Sequence, residues 1–245
     1  IEGGDETGPL VGGDWIQGGA GNDTINGGAG NDNLFGDAGN DSVTGGDGDD
    51  TLYTNSGNDT LVGGAGNDTF LVSGNGVPMG PSDAIVVDGG AGNDTIQAAG
   101  MSYFALTASG GEGIDTYVLS YGTGPVFTVT DFAPGAGGDR IDAGTLLGST
   151  PAFTGGNPFD PALGFLRLVQ SGADTLLQYD NDGAAGIMSD WTTVLTLQNV
   201  TAANLTADNF TGGWQPTVVG TTEFDDNWVG TNGNDTVDGL GGNDT

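Results

Sequence analysis

The sequence predicts an all-β solenoid. Three observations carry that expectation: a nine-residue period, an apolar residue at one fixed place in each period, and aspartate at another. From residue 18 the chain reads GGAGNDTIN, GGAGNDNLF, GDAGNDSVT, GGDGDDTLY, TNSGNDTLV and GGAGNDTFL. The fourth place is always glycine, from Gly21 to Gly66, and the sixth is always aspartate: Asp23, Asp32, Asp41, Asp50, Asp59 and Asp68. The eighth place is always apolar: Ile25, Leu34, Val43, Leu52, Leu61 and Phe70. A period this strict marks a stack of repeats.

Each place has a physical reason. The glycine-rich half turns tightly, through backbone conformations that glycine reaches without steric cost and asparagine tolerates. The second half alternates like a strand and sends its apolar residue inward. A single unit cannot bury that residue, whereas stacked units can. Because inward side chains come from opposite walls, two nonapeptides are expected to make one coil.

Composition sets the next constraint. The 245 residues include 51 glycines and 33 acidic residues against two basic ones, Arg140 and Arg167, for a formal charge of −31. Like charges oppose compaction, so the folded chain requires a cationic counterpart. Nucleic acid and anionic membrane are excluded as partners, since both need basic surface. Stacking lines the aspartates of alternate units into rows, and Ca²⁺, a hard cation taking six to eight oxygens from carboxylates and carbonyls, suits such rows.

These units resemble the RTX (repeats-in-toxin, hemolysin-type) calcium-binding nonapeptide of bacterial exported proteins. The resemblance implies a right-handed parallel β-roll with several Ca²⁺ ions between turns, type I export and folding outside the cell. The register continues more loosely on both sides of the six clean units. Gly3 to Val11 forms a degenerate unit, and 12–17 a shortened one that keeps Asp14 and Ile16. After Val72 an insertion with Pro78 and Pro81 reads as a surface loop. Asp83-Ala84-Ile85 is expected to resume the strand half, followed by full units at 89–97 with Asp94 and at 110–118 with Asp115. Ile114 suits a turn poorly and makes Asp115 the weaker ligand candidate.

From 119 to 215 the nonapeptide fades into alternating apolar runs, and 165–169 and 175–179 flank a hairpin at Gln170–Asp174. Thr201 to Phe210 reads as a short helical turn with Ala202, Ala203 and Leu205 inward. Val129-Thr130-Asp131-Phe132, Asp139–Asp142, the hairpin, and Leu197–Val200 running to Phe210 resemble the capping region that follows the repeats in type I-secreted proteins. The expected organisation is thus a β-roll over 1–118 with an insertion near 73–82, an antiparallel β-rich capping domain over 119–215, and a further roll starting at 216–245. The last stretch supplies two more candidate ligands, Asp235 and Asp244. Gly239–Thr245 joined to Ile1-Glu2 makes a complete nonapeptide with Gly3 next in register. That fit predicts one period of a larger array, in tandem or head to tail with other copies of itself.

Catalysis has little support. There is no histidine or cysteine, hence no Ser-His-Asp triad, thiol nucleophile or histidine zinc site. Asp180-Asn181-Asp182-Gly183 opens like an EF-hand loop, but Trp191 stands at its twelfth place, so a plain turn is the better reading. The four tryptophans read as core or seam residues, and the two arginines as partners of local carboxylates. No apolar run approaches a membrane span. The expected function is a calcium-dependent structural module of the extracellular or bacterial cell-surface type: surface layer, adhesin or matrix filament. The alternative is the non-catalytic calcium-binding and secretion region of an RTX exoenzyme or cytolysin.

Overall fold

A computed structural model describes residues 13–73, 83–99, 104–120, 126–184, 186 and 191–219. In chain order the repeat block gives β1 (Trp15–Gln17), β2 (Thr24–Ala29), β3 (Asn33–Phe35), β4 (Ser42–Asp47), β5 (Thr51–Thr54), β6 (Thr60–Ala65) and β7 (Thr69–Ser73). Then come β8 (Ala84–Ala91), β9 (Thr95–Ala99), β10 (Ala105–Glu112), β11 (Thr116–Leu119), β12 (Val126–Val129) and β13 (Arg140–Asp142). A short helix, α1 (Gly144–Gly148), precedes β14 (Leu166–Ser171), β15 (Asp174–Tyr179), β16 (Thr192–Leu197) and β17 (Val218–Val219).

Alternate strands go to alternate walls. One sheet runs β1-β3-β5-β7-β9-β11-β13, and the other runs β17-β14-β15-β16-β12-β10-β8-β6-β4-β2. All pairs from β1 to β13 are parallel, so the chain winds as a flattened coil. Within the clean repeats Ile16, Leu34, Leu52 and Phe70 align across one wall, and Ile25, Val43 and Leu61 across the other. Each step is 18 residues, which makes the coil two nonapeptides. All of these side chains are buried and join one continuous core. The cause is the period-two alternation of the strand half, which turns the eighth residue of every unit toward the opposite wall.

The antiparallel part grows directly from this sheet. β12 pairs in parallel with β16 and so connects the coils to the β16-β15-β14 meander. The expected hairpin is present, with its strands running to Ser171 and Asp174 and only two residues between them. The region 201–210 forms two 3₁₀ turns, Ala202–Asn204 and Ala207–Asn209, which bury Ala202 and Leu205 but leave Ala203 exposed. Three residues per turn put Ala203 on the side away from the core.

Three local expectations are refined or corrected. Trp15 is 71% exposed rather than a core residue, and it leans on Phe35, which stacks on Tyr53 at 4.3 Å along the outer face of the seven-stranded sheet. Arg167 is stabilised by the Asp180 carboxylate, as expected of a partner to local acids, and in addition lies 4.2 Å above the Trp191 ring and donates from Nε to Gln178 Oε1. The third concerns register. Val87, not Ile85, takes the apolar place opposite Leu61, so Ile85 falls two residues earlier, opposite Asp59.

Candidate metal centre

The sixth-place aspartates end up in two rows, one on each edge of the coil. Where the chain passes from the ten-stranded to the seven-stranded sheet, a long row holds Asp14, Asp32, Asp50, Asp68, Asp94 and Asp115. On the opposite edge a short row holds Asp23, Asp41 and Asp59. Each aspartate after the first in its row accepts, on Oδ1, the backbone N–H of the aspartate one coil before it. The distances run 2.6, 2.8, 2.8, 2.7 and 2.9 Å along the long row, and 2.9 and 2.8 Å along the short one. Asp235 and Asp244 lie outside the described residues.

One oxygen of each of these accepting carboxylates is therefore committed to holding the coils in register. The other is not. Oδ2 of Asp23, Asp32, Asp41, Asp50, Asp68, Asp94 and Asp115 is buried without a hydrogen-bond partner. Six of these seven residues, all but Asp23, are no more than 3% exposed. Buried polar oxygens normally have partners, and an ionised carboxylate away from water is costly unless neutralised. Burial raises the Asp68 carboxyl to about 7, with Asp94 and Asp50 adding repulsion that the Asp50 N–H bond partly offsets. Burial likewise raises Asp50 and Asp115 to about 6, and lifts Asp41 and Asp94 above the usual range.

The glycine that opens each unit explains what faces those oxygens. A Cβ on Gly18, Gly27, Gly45, Gly63 or Gly89 would stand closer than 3.0 Å both to the Oδ2 of its own unit's aspartate and to a glycine carbonyl one coil on. The missing side chain thus leaves a cradle walled by a carboxylate oxygen and a peptide oxygen. Hard oxygen donors of this kind fit Ca²⁺. Among the described residues no three His, Cys, Asp or Glu side chains converge on one point, so carbonyls must complete any such site.

Sequence reasoning missed two elements. Fifth-place asparagines form an outer ladder of opposite polarity, in which Asn22, Asn40 and Asn67 accept the N–H of the fifth residue one coil later. Even Ile114 donates its N–H to Asn93 at 2.8 Å, so its apolar side chain does not disturb the turn holding Asp115. The second is Asp139, whose Oδ1 accepts the Asp115 N–H at 3.0 Å and so forms a further rung. Its signal was the Asp-x-apolar spacing of Asp139-Arg140-Ile141, which matches the strand half of a nonapeptide. Asp180 behaves as a turn residue, its Oδ1 accepting the N–H groups of Asp182 and Gly183.

The rows end differently from how they run. Asp59 Oδ2 accepts the hydroxyl of Thr54, the residue that replaces the opening glycine of its unit. Beyond Asp59 the same edge presents Ile85, Leu106 and Phe127, aligned in register and buried. At the end of the long row Asp139 Oδ2 accepts the Ala133 N–H at 2.8 Å.

A family model described as the RTX calcium-binding nonapeptide repeat, in four copies, matches residues 11–43, 35–70, 86–100 and 221–245. No curated protein matches the chain. Among solved structures, the AlgE6R3 subunit of the Azotobacter vinelandii mannuronan C5-epimerase, determined in solution, aligns at 24% identity over 92% of this chain and 98% of that one, with a TM-score of 0.29. No helix among the described residues is long and apolar enough to cross a membrane.

Proposed function

The chain carries RTX calcium-binding nonapeptide repeats, and from that premise we propose that it is an extracellular structural module whose folding is driven by calcium. Its class would be that of surface layers, adhesins and matrix filaments. The observation that carries this reading is the stacked set of buried, partnerless Oδ2 atoms, five of which face a cradle walled by a glycine carbonyl one coil on. A bound divalent cation supplies positive charge and further coordination to oxygens that the protein itself leaves unpaired. The residues holding it would be the aspartates of the two rows through Oδ2, with peptide carbonyls of the turns.

Folding and ion binding are then one event, because the rows exist only when coils stack. Without cations, carboxylates one coil apart repel across a chain whose formal charge is already −31. At low calcium the chain stays open, a state suited to export. At the calcium levels typical of extracellular modules, ~10⁻⁴–10⁻³ M, it closes into the roll. The test is far-UV circular dichroism at neutral pH. Excess EGTA is expected to abolish the β signal and added Ca²⁺ to restore it. A spectrum indifferent to EGTA would sink the proposal.

A further inference from the structure

We propose that the short calcium row is terminated from within the chain, with the Thr54 hydroxyl occupying the place on Asp59 that a cation takes on the other aspartates. The inference rests on the calcium-binding reading above and concerns where that binding stops. In the clean block only the unit 54–62 lacks its opening glycines, having Thr54-Asn55-Ser56 in their place. At equivalent positions Gly18, Gly27, Gly45 and Gly63 leave a cradle open and their aspartate Oδ2 unpaired. At Thr54 the cradle contains a side chain. Its hydroxyl donates to Asp59 Oδ2, and Asp59 is absent from the partnerless set although it is as buried as Asp50 or Asp68.

The surroundings agree with a terminus rather than an isolated exception. One coil further on, the place of the next aspartate belongs to Ile85, then to Leu106 and Phe127, all buried. The register place itself therefore holds no carboxylate, and the nearby Asp83 adds repulsion to Asp59 from two residues before Ile85. The backbone changes too: Gly19 and Asp37, second in their units on this edge, have φ of 94° and 66°, whereas Asn55 is not among the positive-φ residues. The long row closes by the same logic with a different donor, since the Ala133 N–H takes Asp139 Oδ2. In both cases a neutral protein donor satisfies the last carboxylate where stacked nonapeptides give way to other structure.

Beyond Asp59 this edge does not need calcium, and it is also where the chain leaves the nine-residue spacing. The passages from the seven-stranded to the ten-stranded sheet between β7 and β8, β9 and β10, and β11 and β12 depart in sequence from the nonapeptide, whereas the long-row units at 89–94 and 110–115 keep it. An edge freed from ion geometry can accept loops of any length; an edge that binds ions cannot.

The experiment counts ions bound to the full chain by native mass spectrometry at saturating Ca²⁺, with circular dichroism confirming the β signal of each variant. Restoring the repeat with Thr54→Gly plus Asn55→Gly reopens the cradle and is expected to add one Ca²⁺ to the wild-type number. Thr54→Val fills the cradle without a hydroxyl and is expected to leave the number unchanged. A glycine pair that folds without gaining an ion overturns the inference, as does loss of an ion in Thr54→Val, which would make Thr54 a ligand. If the wild type binds no calcium at all, the functional reading itself fails; if it binds calcium but the glycine pair adds none, only the terminus fails.

Discussion

The two edges of the roll start from the same nonapeptide and end as different structures. The long-row edge repeats one tight turn from Asp14 to Asp115, with Oδ1 spent on register and Oδ2 left for a ligand in every rung from Asp32 on. The short-row edge keeps that full arrangement only at Asp41, with Asp23 before it also leaving Oδ2 unpaired. It then passes through the Thr54–Asp59 hydrogen bond to an apolar ladder of Ile85, Leu106 and Phe127. A parallel roll can therefore be held together at its edge in two ways. One places charge that requires an ion, and the other buries carbon and does not. Here both occur on one roll, with the carboxylate edge continuous from Asp14 to Asp115 and the apolar ladder on the opposite edge.

The largest effect that separates the edges is expected at the opening glycine of a long-row unit. Gly63→Ala puts a methyl against both Asp68 Oδ2 and the Gly89 carbonyl. Neither is the free end of a flexible chain, so the turn must shift, at a cost of about 1–3 kcal/mol for overpacking alone. The cradle closes as well, and calcium stoichiometry should fall by one. On the short row a side chain already stands at the corresponding place, Thr54, with its hydroxyl donating to the carboxylate. Thermal melts in Ca²⁺ together with an ion count check the prediction, and a Gly63→Ala protein with wild-type calcium content would break the comparison.

The next effect compares two aspartates directly. Asp68→Asn removes a charge from an unpaired, buried ligand position, and the protein should lose the ion's linkage stabilisation, about 2.7 kcal/mol at a hundredfold excess of calcium over its Kd. Asp59→Asn keeps an oxygen for the Asp41 N–H and an amide able to donate to the Thr54 hydroxyl. Its cost should stay below about 1 kcal/mol, in the range of a single neutral hydrogen bond, with no change in bound calcium. Equal losses in the two variants would mean that the edges are not chemically distinct.

A smaller effect is expected from pH in the metal-free protein. Burial sets the folded-state carboxyls of Asp50 and Asp115 at about 6 and that of Asp68 at about 7, against 3.8 for the ordinary group. A raised carboxyl binds its proton more tightly in the folded state, so stability falls as pH rises from 3.8 to about 7. Protons thus stand in partly for the missing cations. Far-UV circular dichroism in metal-depleted buffer should show more β signal at pH 5 than at pH 8, where the apo chain stays open. The opposite order would show that these carboxylates are not desolvated in the folded chain. With calcium present the trend reverses in the same window, because protons and cations compete for Oδ2.

Much of this was legible in the sequence because stacked repeats make local pattern and global structure the same thing. The strict eighth-place apolar residue determined the strands, their buried face and the two-nonapeptide coil. The sixth-place aspartate determined that carboxylates would align in rows. Only the tertiary structure decided which oxygen of each carboxylate is free, since Oδ1 is occupied by an N–H that lies 18 residues away in the clean repeats and 26, 21 or 24 away later. It also decided that Ile85 faces Asp59 rather than occupying the apolar place, because register across an insertion is set by which side chains the core accepts. The ends of the rows were hidden for the same reason. A threonine in place of a glycine reads as a lapse in the pattern until the fold brings its hydroxyl onto the carboxylate, and a backbone N–H such as that of Ala133 leaves no mark in sequence at all.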